Sequence, residues 1–299
     1  MDIAFDTDFD PRHGEAVPAA PGILRLTAPN PSPFTFHGTN SYLLGEERLV
    51  VVDPGPDDDR HLAALLQAIA GRPVEAILLT HTHRDHTALV PRLQQAVGAP
   101  VLAEGGHRAS RALHEGETNL MDAAGDMALV PDRLLVHGEM LALAGLQIEA
   151  VATPGHTANH MAFALGDTLL SGDHVMAWST TVVAPPDGAM ADYMASLETL
   201  LARGETLYLP GHGGPVARPQ AFLRGLRSHR KMRETAILER LKAGDRSIAD
   251  VVAAIYRQTD KRLHGAAALS VLAHLEDLVA KGRVRTDGPA LLGGRFEPA

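Results

Sequence analysis

The chain has 299 residues, 45% of them hydrophobic and 21% charged, enough for one large core or two modest ones. A formal charge of -9 argues against general affinity for nucleic acid or membrane, and no apolar run approaches the roughly 18 residues of a membrane-spanning helix, so a cytoplasmic setting is expected. There is no cysteine, which excludes disulfides and leaves any metal to His, Asp or Glu, donors suited to zinc, iron or manganese rather than copper(I).

In chain order, apolar strands repeatedly run into polar turns. Leu49-Val50-Val51-Val52 is followed by Asp53-Pro54-Gly55, and Ala76-Ile77-Leu78-Leu79-Thr80 by His81-Thr82-His83-Arg84-Asp85-His86, with a helix predicted over 87–97. His81 and His83, two apart on extended chain, project to one side, while Asp85 and His86 fall where the chain turns and approach from another direction. The strand predicted at 148–152 ends in Thr153-Pro154-Gly155-His156-Thr157, that at 168–170 in Ser171-Gly172-Asp173-His174, and that at 206–209 in Pro210-Gly211-His212-Gly213. Glycine and proline let the backbone bend sharply there, so that His and Asp point across the strand ends, where α/β folds build their sites.

The basic segment 218–242 reads as a long helix whose charge run is first of all a solvated face; in the functional alternative Arg227, Arg230, Lys231 and Arg233, with His229, face the cleft and attract an anionic substrate. Beyond it, Ser247-Ile248-Ala249-Asp250 is a capping-box-like start, Ile248, Val251, Val252 and Ile255 have helical spacing, and a second helix carries Leu269, Leu272, Leu275 and Leu278. The stretch 283–296, broken by Asp287-Gly288-Pro289, looks like a hairpin wing. With eight Lys and Arg against seven Asp and Glu over 243–299, this module is not expected to bind duplex DNA; packing or homodimer formation suits it better. The domains are placed at 1–218, 219–242 and 243–299.

Asp53, the His81–His86 motif, His156, Asp173 and His212 together resemble the metallo-β-lactamase superfamily. The resemblance implies a four-layer αββα sandwich with two divalent metals, zinc above iron or manganese, at the edge between the sheets. It implies that His81, His83 and His156 hold one ion and Asp85, His86 and His212 the other, with Asp173 and a hydroxide bridging them. Asp53 would orient a ligand histidine, and Asp85 would also handle the proton passed to the leaving group. Pro29-Asn30-Pro31, Gly38-Thr39-Asn40-Ser41-Tyr42-Leu43, His160-Met161, Ser228-His229-Arg230 and the winged-helix-like C-terminus are similar to the lactamase-beta-2-like endoribonucleases. Asn40, His160, Trp178 and Arg230 are accordingly expected behind the ligands or near the substrate, whereas the loop 175–190 departs from that pattern. His174 could line the cleft; His13, His37, His61, His107, His114, His137, His264 and His274 read as surface or packing residues.

The implied activity is metal-dependent hydrolysis, ribonuclease-like on single-stranded RNA, with a small-molecule thioester or lactone as the alternative substrate, as in glyoxalase II. A catalytically weak regulatory protein or a β-lactamase is less favoured, the intact ligand set opposing the first.

Overall fold

The structure is a computed structural model that describes residues 3–299. One sheet holds seven strands in sequence order: β1 (Val17–Ala20), β2 (Ile23–Thr27), β3 (Asn40–Leu44), β4 (Leu49–Val52), β5 (Val74–Leu78), β6 (Val101–Ala103) and β7 (Arg133–Leu134). The second, five-stranded, runs β12 (Leu207–Pro210), β11 (Thr168–Gly172), β10 (Met161–Leu165), β9 (Leu146–Ala152) and β8 (Glu139–Leu143). Pairing is antiparallel from β1 to β4 and parallel from β4 to β7. Crossover helices α1 (Asp59–Ile69), α2 (Arg84–Thr87) and α3 (Val90–Val97) lie between the parallel strands, and α4 (Met190–Leu201) lies between β11 and β12.

Why the strands are apolar throughout follows from the layers. In β4, Val50 and Val52 face the second sheet, packing with Phe163 and Leu170, while Leu49 and Val51 face Leu65, Ile69 and Leu93 of α1 and α3. Each face of the strand is buried, so alternation gives way to a continuous hydrophobic run. The second sheet repeats this, its outer face (Val151, Ala162, Leu169) covered by Tyr193, Leu197 and Leu200 of α4. Helix, sheet, sheet, helix: the metallo-β-lactamase fold. The helix expected over 87–97 is two pieces, because Pro91 has no N–H for the Thr87 carbonyl four residues earlier.

Helix α5 (Pro219–Lys242) belongs to two cores. Leu223 and Leu226 pack beside α4, whereas Ile237, Leu238 and Leu241 pack with α6 (Ile248–Ile255) and α7 (His264–Ala280). The Ser247 hydroxyl caps α6, accepting from the Asp250 N–H at 3.2 Å and donating to its carboxylate at 2.6 Å. Strands β13 (Val284–Thr286) and β14 (Phe296–Pro298) pair antiparallel as the wing, completing a winged-helix domain. The window Lys261–Ala280 is apolar enough to cross a membrane by composition, with mean hydropathy 1.2, but half of it is buried within the protein.

Candidate metal centre

The turns after β4, β5, β9, β11 and β12 converge on one edge of the sandwich. His81 Nε2 lies 3.1 Å from His83 Nδ1, and His156 Nε2 lies 3.0 Å from that same atom. The other nitrogens of His81 and His156 are engaged: Nδ1 of His81 is 3.0 Å from the Thr80 hydroxyl, and Nδ1 of His156 donates to the Val182 carbonyl at 2.7 Å. Both Nε2 atoms therefore present lone pairs, and His83 Nδ1 can donate to only one of them. A cation among the three nitrogens removes that conflict.

The second group is acidic. His86 Nε2 lies 3.5 Å from Asp85 Oδ2 and 3.4 Å from Asp173 Oδ1, and His212 Nε2 lies 3.3 Å from Asp85 Oδ2 and 3.2 Å from Asp173 Oδ2. Asp173 Oδ2 is also 3.7 Å from His156 Nε2, so its carboxylate stands between the two groups. Asp173 Oδ1 is buried and without a hydrogen-bond partner among the described residues. Three donor triads arise: His81 with His83 and His156, His81 with His86 and Asp173, and Asp85 with His86 and His212. All of these carboxylates and imidazoles suit a divalent ion without thiolate.

Charge separates the two groups. Burial, reinforced by neighbouring histidines, holds His81 well below the ordinary imidazole range and His83 down to about 3, leaving both neutral as metal ligation requires. Burial works against protonation of His86 and His212 too, yet Asp85 and Asp173 outweigh it, with Asp53 adding at His86. His86 is raised well above its usual value and His212 to about 9. Protons occupy this subsite where a divalent cation is absent, and cation binding would release them.

Supporting contacts fix the turns. Asp53, at a φ of 50°, accepts the Thr80 N–H at 2.7 Å and hydroxyl at 2.6 Å. Gly172 (φ 49°) and Gly211 are dictated by close approach: a Cβ would lie 2.6 Å from His160 Nε2 and 2.4 Å from Asp173 Oδ1, respectively. Asn40 is fully buried and donates to the carbonyls of Pro210 at 3.0 Å and Gly213 at 2.9 Å, stapling the His212 turn rather than meeting a substrate. His160, 1% exposed, accepts the Asp173 N–H at 3.1 Å and faces Thr153 at 2.8 Å, so it too stands behind the site.

Trp178 stacks on Phe36 with ring centroids 4.8 Å apart, and packs against Gly213 beside His212. Arg230, expected on the cleft surface, is 4% exposed; it donates to the Thr181 carbonyl at 2.6 Å and covers the Tyr193 ring at 4.9 Å. Arg227 pairs with Glu198 at 3.0 Å, while His229, Arg233 and, for all its burial, Arg230 line a groove. His174 is wholly buried against Tyr193, 4.6 Å between centroids.

Two helpers were not singled out as site residues in the sequence. Thr39, held by Asn30, donates to Asp85 Oδ2 at 3.2 Å. His107, read as an ordinary histidine, sits with its ring 6.2 Å from that of His83, bridging Thr82 at 3.0 Å and Asp187 at 3.2 Å. Thr39 lies within the Gly38-Thr39-Asn40-Ser41-Tyr42-Leu43 motif, but its contact with Asp85 joins segments 46 residues apart.

A sandwich with histidines and aspartates gathered at the edge of its sheets defines a metallohydrolase-like class. The chain belongs to the metallo-beta-lactamase superfamily, whose profile matches residues 34–212, and the beta-lactamase associated winged helix domain matches residues 247–290. It is 33% identical over 286 residues to a beta-lactamase-like protein 2 homolog of Drosophila melanogaster, covering 90% of this chain and 91% of that one. It is 30% identical over 225 residues to an atrochrysone carboxyl ACP thioesterase of Aspergillus fumigatus, covering 73% of this chain and 64% of that one. The fold matches a beta-lactamase domain protein from Burkholderia ambifaria with a TM-score of 0.81 at 24% identity, covering 99% of this chain and 97% of that one. The superfamily consists mostly of hydrolases and typically binds metal ions.

Proposed function

We propose that this protein is a dinuclear metal-dependent hydrolase of acyl thioesters. The observation that carries the substrate class is a groove of about 350 Å3 beside the donor cluster, walled by Phe34, Trp178, Val182, Tyr256 and Leu263. Its wall reaches His156, whose Nδ1 donates to the Val182 carbonyl, and comes beside the second donor group where Trp178 packs on Gly213, the residue after His212. A largely apolar channel suits an acyl chain, and its two arginines, Arg230 and Arg233, the latter stacked 4.3 Å over Tyr256, suit an anionic carrier. The similar fungal protein is named for acting on an acyl-carrier thioester, which agrees with this reading.

His81, His83 and His156 would hold one divalent ion, Asp85, His86 and His212 the other, and Asp173 would be shared; zinc fits these donors best, with iron or manganese also compatible. When bound, the ions supply an acidified water and charge stabilisation for the oxygen of the scissile carbonyl. The chain's own residues orient and exclude. Asp85 is 28% exposed, against 8% for Asp173 and 1% for His212, so it stands at the mouth. Its Oδ2 is taken by Thr39 and His212; Oδ1 remains to take a proton from the attacking water and pass it to the sulfur as the C–S bond breaks. Products are the carboxylate and the free thiol.

Cleavage of single-stranded RNA is the second reading, favoured by the placement of His229, Arg230 and Arg233 in the same groove. Duplex DNA fits poorly, because Glu276 and Asp277 of α7 are tied to Arg111 and Lys281, at 2.6 Å and 2.5 Å, rather than facing solvent with a basic surface. Metal-loaded protein should be assayed on acyl-pantetheine thioesters, an RNA oligonucleotide, an acyl lactone and nitrocefin. Thioesters should give the highest kcat/KM. RNA cleavage exceeding thioester turnover would put the ribonuclease reading first.

A further inference from the structure

Where α4, α5 and α7 meet, between the catalytic sandwich and the winged helix, lies a cavity of about 380 Å3 that none of the metal-site residues lines. Met190 and Met194 form its floor; Arg230, Lys231, His274 and Lys281 are among the polar residues around it. His274 is 2% exposed, and among the described residues neither of its ring nitrogens has a hydrogen-bond partner. The Nε of Arg230 is likewise buried and unpartnered among the described residues, although its other end holds Thr181. Buried donors left without partners are uncommon, and here two converge on one cavity.

We propose that this cavity is a second ligand site, for a phosphoryl group carried as inorganic phosphate or as a phosphate monoester. The charge arrangement gives the sign. Two carboxylates also reach the cavity, and both are already matched: Glu234 by Arg283 at 2.6 Å and Asp277 by Lys281 at 2.5 Å. Arg230 and Lys231 remain as cations without a carboxylate partner among the described residues. Burial first, and then the charges of Arg230, Arg233, His229 and Lys281, lower His274 to about 3, so the imidazole beside these cations is neutral. A tetrahedral oxyanion accepts from several directions at once, so it can take the Arg230 Nε–H, the one N–H of His274 and the Lys231 ammonium together. The volume lies in the range of small-molecule pockets, leaving room for more than a bare ion.

The test is calorimetric melting of the metal-loaded full chain as phosphate replaces chloride at constant ionic strength. A saturable rise in Tm of about 5 °C at a hundredfold excess over Kd is expected. Phosphate reaching the metal centre would raise Tm as well, so the reading is the difference between wild type and His274→Leu, which should lose this component. Lys231→Glu, at an exposed position on the rim, should weaken it at least tenfold and guards against misfolding of the buried variant. Glycerol phosphate in place of phosphate separates the sources: tighter binding identifies a monoester ligand, equal binding the free ion. No phosphate-dependent shift, or the same shift in wild type and both variants, overturns the site.

Discussion

The Asp53 carboxylate lies 2.9 Å from Nδ1 of His86, so the ring donates to it and turns Nε2 toward Asp85, Asp173 and His212. One carboxylate thereby fixes both a tautomer and a turn, since it also accepts from Thr80, whose hydroxyl faces His81. Asp53→Ala should weaken metal affinity about 10- to 100-fold while the protein stays folded. Competition with a chromogenic chelator measures this; unchanged affinity would leave Asp53 a purely structural residue.

On the thioester reading, Trp178, in the groove wall beside Gly213, would meet the acyl chain. Trp178→Ala should lower kcat/KM about tenfold or more for a long acyl thioester, from lost apolar contact, and much less for an acetyl thioester. Equal losses on both would mean that the groove does not hold the acyl chain.

Acid should destabilise the protein through His274. Its folded value of about 3 lies below the ordinary 6.5, so between these the unfolded chain binds more protons and stability falls as pH drops. From pH 7 to pH 5 this one residue costs about 2 kcal/mol. In phosphate-free buffer, His274→Leu should lose about that much less stability than wild type over the same interval. Parallel pH profiles in denaturant titrations would refute it.

The convergent turns were legible because each joins an apolar strand to ligand-type side chains, four of the five through glycine or proline, all local signals. Thr39, His107 and the seam cavity were not, since their meaning lies in contacts such as Thr39 to Asp85 that join distant segments. The burial of Arg230 had a signal that the run of charge obscured. It stands seven after Leu223 and seven before Ile237, on the stripe that carries Leu226 and Leu241, so the helical period turns it inward among basic neighbours that face out.

The metal centre is tested most directly by counting ions. Wild-type protein and Asp173→Ala should be equilibrated with zinc, dialysed against metal-free buffer and analysed for metal per chain by plasma mass spectrometry. Two ions per wild-type chain are predicted, with loss from both sites in Asp173→Ala, because that carboxylate touches both donor groups. One ion or none in the wild type would contradict a dinuclear centre.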